Sequence, residues 1–310
     1  MIDEKRAIIA KIEATYGTDP VPTGASNAVL VKNIQWRPEQ VTYASREQVA
    51  LPSLGRFSSK TATKRAEIEF DVEVSGASAA GTPPPYGALL RACGMSETVV
   101  AVTSVTYAPI SAAFEGVTIY VNVDGLQQKL IGCRGSVQLM MRNEDIPVFH
   151  FRFIGFYSTP TDTALPTLTL TSHVAPLPMN KTNTTPITLH GFACGLQEAD
   201  FDAANAVDYQ SFPGGSEQVF LTNRLPTGRV VIEHPTIAQK DYFSIVDSGA
   251  TGLFTFTHGT VAGNKMQFNG AQARLTNPRR GNIRGIATLE MDIEHAPSNT
   301  LNDDWSIVFT

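Results

Sequence analysis

The chain has 310 residues, a formal net charge of −5, an ordinary apolar fraction and three cysteines. An acidic balance argues against a nucleic-acid clamp, whose affinity comes from Lys and Arg neutralising phosphates, and no apolar run is long enough to span a membrane as a helix. The first 17 residues carry acids and lack an apolar signal core, so no secretory signal is expected, and Cys93, Cys133 and Cys194, widely spaced with no CxxC, are expected to be reduced thiols.

Residues 3–15 read as a short helix: Asp3 can cap it, Ile8, Ile9 and Ile12 give one apolar face, and Gly17 can end it. Residues 28–36 (AVLVKNIQW) read as a strand. The stretch 39–59 is long, with Pro52 and Gly55 near its middle, and a loop of that length inside a compact domain is usually functional or a protruding hairpin. In residues 64–74, Ala66, Ile68, Phe70, Val72 and Val74 alternate with Glu67, Glu69, Asp71 and Glu73, the period of a strand with one buried face.

Residues 86–93 follow three prolines and stop at Gly94, the expected helix asymmetry. Strands are expected at 99–107, 116–123, 126–133, 134–141 and 148–157, with a hairpin turn at Asp124-Gly125. Residues 158–186 are rich in Thr and Pro and read as a junction. Beyond it, 187–196 is expected as a strand, 197–217 as a connector, 218–225 and 228–232 as strands, and 238–247 as a short helix ending at Gly249. Residues 252–258, 265–268, 271–275, 286–294 and 305–309 complete the strands.

The order repeats in the two halves: strand, long loop, strand with a polar face, short helix ending at glycine, β-hairpin, two strands. LLRACG (89–94) stands where FSIVDSG (243–249) stands, and GSVQL (135–139) where GAQARL (270–275) stands. Two domains are therefore expected, 1–160 and 187–310, joined by 161–186. Two similar units in one chain imply pseudo-symmetry, so three copies would supply six units to a ring.

The acids have a second cluster, Glu290, Asp292 and Glu294, alternating with Leu289, Met291 and Ile293. One reading is a solvated sheet face. The other is a surface built to face a polyanion without sticking to it. Strand 148–153, which the repeat matches to 289–294, carries His150 and Arg152 instead.

No catalytic constellation is present: no GxSxG, HExxH, P-loop or GxGxxG opening a helix. His190 and Cys194 come closest to metal-ligand spacing, and a zinc site there needs two further ligands. No cofactor or metal is expected. A β-fold hydrolase would need paired, pKa-shifted carboxylates in a cleft. A β-sandwich carbohydrate-binding or tail-decoration module would need an exposed aromatic patch.

Several stretches together resemble a known family. These are EATYGTDPVPT leading into VLVKNIQW, the loop EQVTYASREQVALPSLGRFSS before KRAEIEFDVEVSG, PPPYGALLRACGM, the hairpin GVTIYVNVDGLQQKLIGCRGSVQL, and the late GNKMQFNGAQARLTNP and DDWSIVFT. In order and local flavour, over nearly the whole chain, they resemble the tail tube (major tail) proteins of long-tailed bacteriophages with non-contractile tails.

The resemblance implies a mainly β fold: tandem β-sandwich domains, each with a short flanking helix, whose inner strands join into a β-barrel in an assembled ring. It implies homotrimeric rings, with hexamers of one larger domain as the alternative, stacked into a hollow tube in the virion tail. The tube would be assembled in the bacterial host cytoplasm, without contact to a membrane. Implied partners are neighbouring rings, the tape measure protein, tail-tip and terminator proteins, and DNA passing through without specific binding. Glu67, Glu69, Asp71, Glu73, Glu290, Asp292 and Glu294 become candidates for the lumen. Val41, Tyr43, Arg46, Glu47, Val49, Leu51, Leu54 and Arg56, in the long loop, become candidates for contact with an adjacent ring.

Overall fold

The computed structural model describes residues 2, 4–46, 52 and 57–310. The fold is mainly β, with two short helices among the described residues. The first half holds β1 (Arg6–Ile12), β2 (Ala28–Val29), β3 (Lys32–Ala44), β4 (Lys60–Glu73), α1 (Gly87–Ala92), β5 (Met95–Val100), β6 (Ser104–Pro109), β7 (Val117–Val123), β8 (Leu126–Arg142) and β9 (Val148–Phe156). After the short β10 (Thr161–Asp162) come β11 (Thr184–Leu189), β12 (Phe192–Ala193), β13 (Leu196–Asp202), β14 (Asn205–Ser211), β15 (Glu217–Arg224) and β16 (Thr227–Glu233). Helix α2 (Tyr242–Ser248), β17 (Thr251–His258), β18 (Met266–Ile283), β19 (Ile286–Ala296) and β20 (Ser306–Phe309) finish the chain.

The two halves pair their strands alike, always antiparallel. In the first, β3 pairs with β4, β4 with β9, β9 with β8, β8 with β7, and β7 with β1, which carries β2. In the second, β13 pairs with β16, β16 with β19, β19 with β18, β18 with β17, and β17 with β11, which carries β12. The registers also correspond. A bulge in β8 precedes the pair Arg134↔Ile154, and a bulge in β18 precedes Arg274↔Glu294, so Arg134 answers to Arg274 and Ile154 to Glu294.

Among the described residues, two strand pairings join the halves. Residues 198–202 of β13 lie against 138–142 of β8. The C-terminal β20 pairs with β18 on one side and β6 on the other. The first contact makes a continuous ribbon in the order β3-β4-β9-β8-β13-β16-β19-β18.

The apolar alternation places the core. Ala66, Ile68, Phe70 and Val72 of β4 are buried beside Phe149, Phe151 and Phe153 of β9. The matching cluster in the second half is Phe201, Phe254, Phe256, Phe268 and Trp305, with His295 packed edge-on to Phe201 and Phe268. Phe309 of β20 reaches back to Tyr86 and Tyr107, so the core runs through both halves. Each fully buried Phe contributes roughly 1.5–3 kcal/mol by removal from water.

Several expectations are corrected. Residues 3–15 hold no helix among those described: Arg6–Ile12 is a strand, with Ala7, Ile8, Ile9 and Ala10 all buried between neighbours. A strand buried on both faces shows no alternation, so its isoleucines mimic a helical stripe. The expected connector 197–217 contains β13 and β14. The expected single strand 99–107 is the β5–β6 hairpin. The strands expected at 126–133 and 134–141 are one long strand, bent at Gly132 with φ +63°. Likewise 265–268 and 271–275 belong to the single β18, whose Pro278 sits at a register shift, where the ladder lacks a bond to lose.

The hairpin turn stands as read: Asp124 and Gly125 have φ of 30° and 99° between β7 and β8. Both helices end as expected at a glycine of positive φ, Gly94 and Gly249. Helix α2 is also capped by Asp241, whose carboxylate accepts the Ser244 N–H at 3.0 Å.

Candidate assembly interface

The ribbon ends on two open strand edges. β3 pairs with β4 on one side, and no described strand lies on its other side. In β18, residues 266–274 are flanked by β17, but beyond them β19 alone among the described strands pairs with it, so among the described residues the edge near 276–283 is open. The β18–β19 turn has Arg284 at φ 52° and Gly285 at φ 90°, a two-residue hairpin closed by Ile283↔Ile286. In such a hairpin the closing pair exchanges both bonds, so Asn282 and Arg280 turn their N–H and C=O away from β19. An unpaired edge of this kind is a place for another strand to add.

The internal β8–β13 contact shows what such edges do. β8 corresponds to β18, and β13 to β3, by their places in the two pairing orders. The strand that β13 covers in β8 is therefore the counterpart of the strand left open in β18.

One face of the ribbon is polar, and its acids come with cations. Glu67, 5% exposed, takes Arg65 at 3.0 Å and Arg37 at 3.4 Å. Glu69 faces Arg152 in register and meets it at 3.3 Å. Asp71, 8% exposed, accepts the Asn33 amide at 2.7 Å and lies 2.7 Å from His150 Nδ1. Glu73 meets Lys32 at 3.4 Å.

In the second half Glu290 takes Arg229 and Arg279, both at 2.8 Å. Asp292 takes Arg279 at 2.6 Å, and Glu294 takes Arg274 at 3.4 Å. The face is a ladder of paired charges and not the uniform row of acids that β4 suggests when read alone.

β13 adds three acids from the stretch expected as a connector: Glu198, Asp200 and Asp202. Glu198 accepts from Arg142 at 2.8 Å and meets Arg229 at 3.4 Å. Burial and the neighbouring Glu198 push the Asp200 carboxyl above its ordinary range. Burial opposes the Arg229 charge, yet Glu290, Glu198 and Asp200 together hold its guanidinium above its usual value. The missed signal was the alternation of Ala199, Phe201 and Ala203 with these acids.

Of the long-loop candidates, Val41 and Tyr43 lie on β3, and Arg46 just beyond it stacks its guanidinium over Phe57 at 4.9 Å. Glu47, Val49, Leu51, Leu54 and Arg56 lie outside the described residues. Strands β3 and β4 continue past the body as a two-stranded arm, exposed at residues 42–46 and 57–62 apart from the undescribed positions. Elsewhere, Cys93 and Cys133 are buried and their thiols pushed well up by burial. His190 Nε2 lies 2.8 Å from the Ala273 carbonyl oxygen. Among the described residues no three His, Cys, Asp or Glu side chains gather as a metal site.

Comparison with known proteins fits this geometry. No curated protein matches the chain. The model of one family, described as phage tail tube protein, matches residues 4–294. The match takes in both halves of the pairing order and both open edges, and the chain belongs to the phage tail tube protein family.

Proposed function

We propose that the chain is the repeating subunit of a tail tube of the non-contractile type, and that copies join by the open edge of β18 pairing antiparallel with β3 of the next copy. The observation that carries this reading is the internal β8–β13 contact, which already joins corresponding strands within one chain. Repeated between chains, the contact is heterologous and closes into a ring if the rotation allows. Residues 1–160 and 187–310 then act as two tandem tube domains across the 161–186 junction. Three copies supply six units, and the ribbons join into a barrel that leaves no strand edge exposed.

In this reading the rings stack into a hollow tube in the virion tail. The polar face of the ribbon, with Glu67, Glu69, Asp71, Glu73, Glu290, Asp292 and Glu294, lines the lumen. Paired charges there hold few free cations for a passing polyanion, so DNA slides without local binding. The long-loop residues Val41, Tyr43, Arg46, Glu47, Val49, Leu51, Leu54 and Arg56 contact an adjacent ring. The tape measure protein occupies the lumen before DNA, and tail-tip and terminator proteins meet the tube ends. Assembly takes place in the host cytoplasm.

The test is an Asn282→Pro variant, which removes an outward N–H of β18 and leaves its ladder with β19 in place, while also losing the turn bond from the Gly285 N–H to the Asn282 side chain at 2.8 Å. Negative-stain microscopy of the concentrated wild type is expected to give rings or tubes with three subunits per ring. The variant should keep the monomer's circular dichroism, lose a few degrees of melting temperature at most from the missing turn bond, and give no rings. Rings of undiminished yield from Asn282→Pro would overturn the edge pairing.

A further inference from the structure

The β14–β15 hairpin is the second half's counterpart of the β3–β4 arm, since each connects the strands paired at that place in its half. It does not project. It lies on the first half of its own chain, held at three points. The Arg134 guanidinium donates to the carbonyls of Phe114 at 2.6 Å, Glu115 at 3.3 Å and, in the hairpin, Val219 at 2.7 Å. The Tyr16 hydroxyl accepts the Val219 N–H at 2.8 Å while donating to the Gly132 carbonyl. The Asn205 amide donates to the carbonyls of Cys93 and Gly135. Leu221 packs where a Cβ on Gly94 would stand, 3.1 Å away.

The second half carries a similar seat over which no hairpin of the described residues lies, and in which Arg274 Nη1 meets Glu294 at 3.4 Å. Arg274, the counterpart of Arg134, lays its guanidinium 3.8 Å from where a Cβ on Gly249 would stand, against the loop that enters β17. That is where Arg134 meets Phe114 and Glu115 before β7. Around it Ser248, Ala250, Thr251 and Leu253 are exposed, Leu253 at 44%. At the corresponding places Cys93, Gly116 and Thr118 are buried and Glu115 is half-buried. The other half of the pair is equally unmatched: Ser59, Thr61 and Tyr43 of the β3–β4 arm are exposed, whereas Val219 of the hairpin is buried and Tyr209 packs edge-on against Phe156.

We infer that the β3–β4 arm of one copy docks on the second half of an adjacent copy in the same ring, over Arg274, Gly249 and Leu253, as β14–β15 docks over Arg134 and Gly94 within the chain. The inference rests on the ring reading, because β18 brings β3 of the next copy to that side. It supplies the occupant from the chemistry of the seat: an edge strand whose backbone carbonyl accepts from Arg274, with small side chains at 59 and 61 facing the glycine. Arm and seat are then both covered, and the described part of the arm is an in-ring clamp.

The experiment uses full chains in a Cys194→Ser background, leaving Cys93 and Cys133 buried. Counting back from the matched positions Glu67 and Thr227, Thr61 answers to Leu221, and Ser248 precedes Gly249 as Cys93 precedes Gly94. Chains carrying Thr61→Cys are mixed with tagged chains carrying Ser248→Cys, allowed to assemble, and treated with a short bismaleimide. Every heterodimer formed is then intermolecular. Heterodimer is expected as the main product, reduced about tenfold by Arg274→Glu, which loses the charge-assisted donor, and largely restored by Arg274→Lys. Rings by microscopy without heterodimer overturn the docking and leave the strand-edge pairing standing. A chain that stays monomeric and gives no heterodimer overturns both.

Discussion

The two halves of the molecule keep the same pairings and exchange the chemistry within them. In the first, Glu69 on β4 faces Arg152 on β9. At the corresponding place in the second, Arg229 on β16 faces Asp292 on β19. The same exchange occurs in the core. Gly155 of β9 leaves room that Leu130 and Cys133 of β8 fill, whereas in the second half His295 stands over Gly270 of β18. Side-chain volume and charge sign have each crossed from one strand to its partner while the backbone register stayed. The comparison teaches that at these two places the ladder keeps opposite charges facing and its space filled, and that neither the acid nor the large residue is tied to a given strand.

The largest effect that would test this comparison is in the shared core. Phe151→Ala in the first half and Phe268→Ala in the second are each expected to cost about 3–5 kcal/mol. Because β8–β13 pairing and β20 join the halves, either change should lower one calorimetric transition. Two separated transitions would mean that the halves fold independently and that the junction is weaker than its pairing implies.

The next effect belongs to the second half alone. Burial against Phe201 and Phe268, with neither ring nitrogen partnered among the described residues, lowers the His295 pKa to about 4. An unfolded chain binds that proton near pH 6.5. The stability carried by the neutral ring is therefore fully present above pH 6.5 and is lost as pH falls through 4, an amount on the order of 3 kcal/mol. Burial lowers His190, His173 and His258 in the same direction. Chemical denaturation at pH 7 and pH 4 should show a smaller loss for His295→Leu than for the wild type, and an equal loss would remove His295 from the account. Gly155, its counterpart, offers no such titration.

The smallest effect concerns the exchanged charges. Glu69→Arg or Arg152→Glu alone should cost about 1 kcal/mol by setting like charges opposite one another across the ladder. The double variant, which copies the second half's arrangement, should recover most of that loss. A double-mutant cycle in urea measures the coupling, and additive losses would show that the pair contributes nothing as a pair.

Much of this fold was legible along the chain. The Asp-Gly turn announced the β7–β8 hairpin, glycine closed both helices, and β4 alternated over its length, because turns, caps and strand faces are local properties. The order of paired strands repeats between the halves, but the residue match read along the chain does not hold: by register Gly135 answers to Leu275 and not to Gly270. Strands whose signal was not local were missed. β1 is buried on both faces and shows no alternation. β13 did alternate locally, Ala199, Phe201 and Ala203 against its acids, and what lay beyond the local sequence was the pairing of those acids with Arg142 of β8 and Arg229 of β16.

What the sequence by itself determined is the alternation of apolar and charged residues, and with it the strand content and the duplicated order. Tertiary structure alone decided which acids meet cations, which edges are closed by the chain itself, and which arm is seated and which projects. Those outcomes depend on register between strands many residues apart. A side chain's own period names its face but not the neighbour that will stand opposite it.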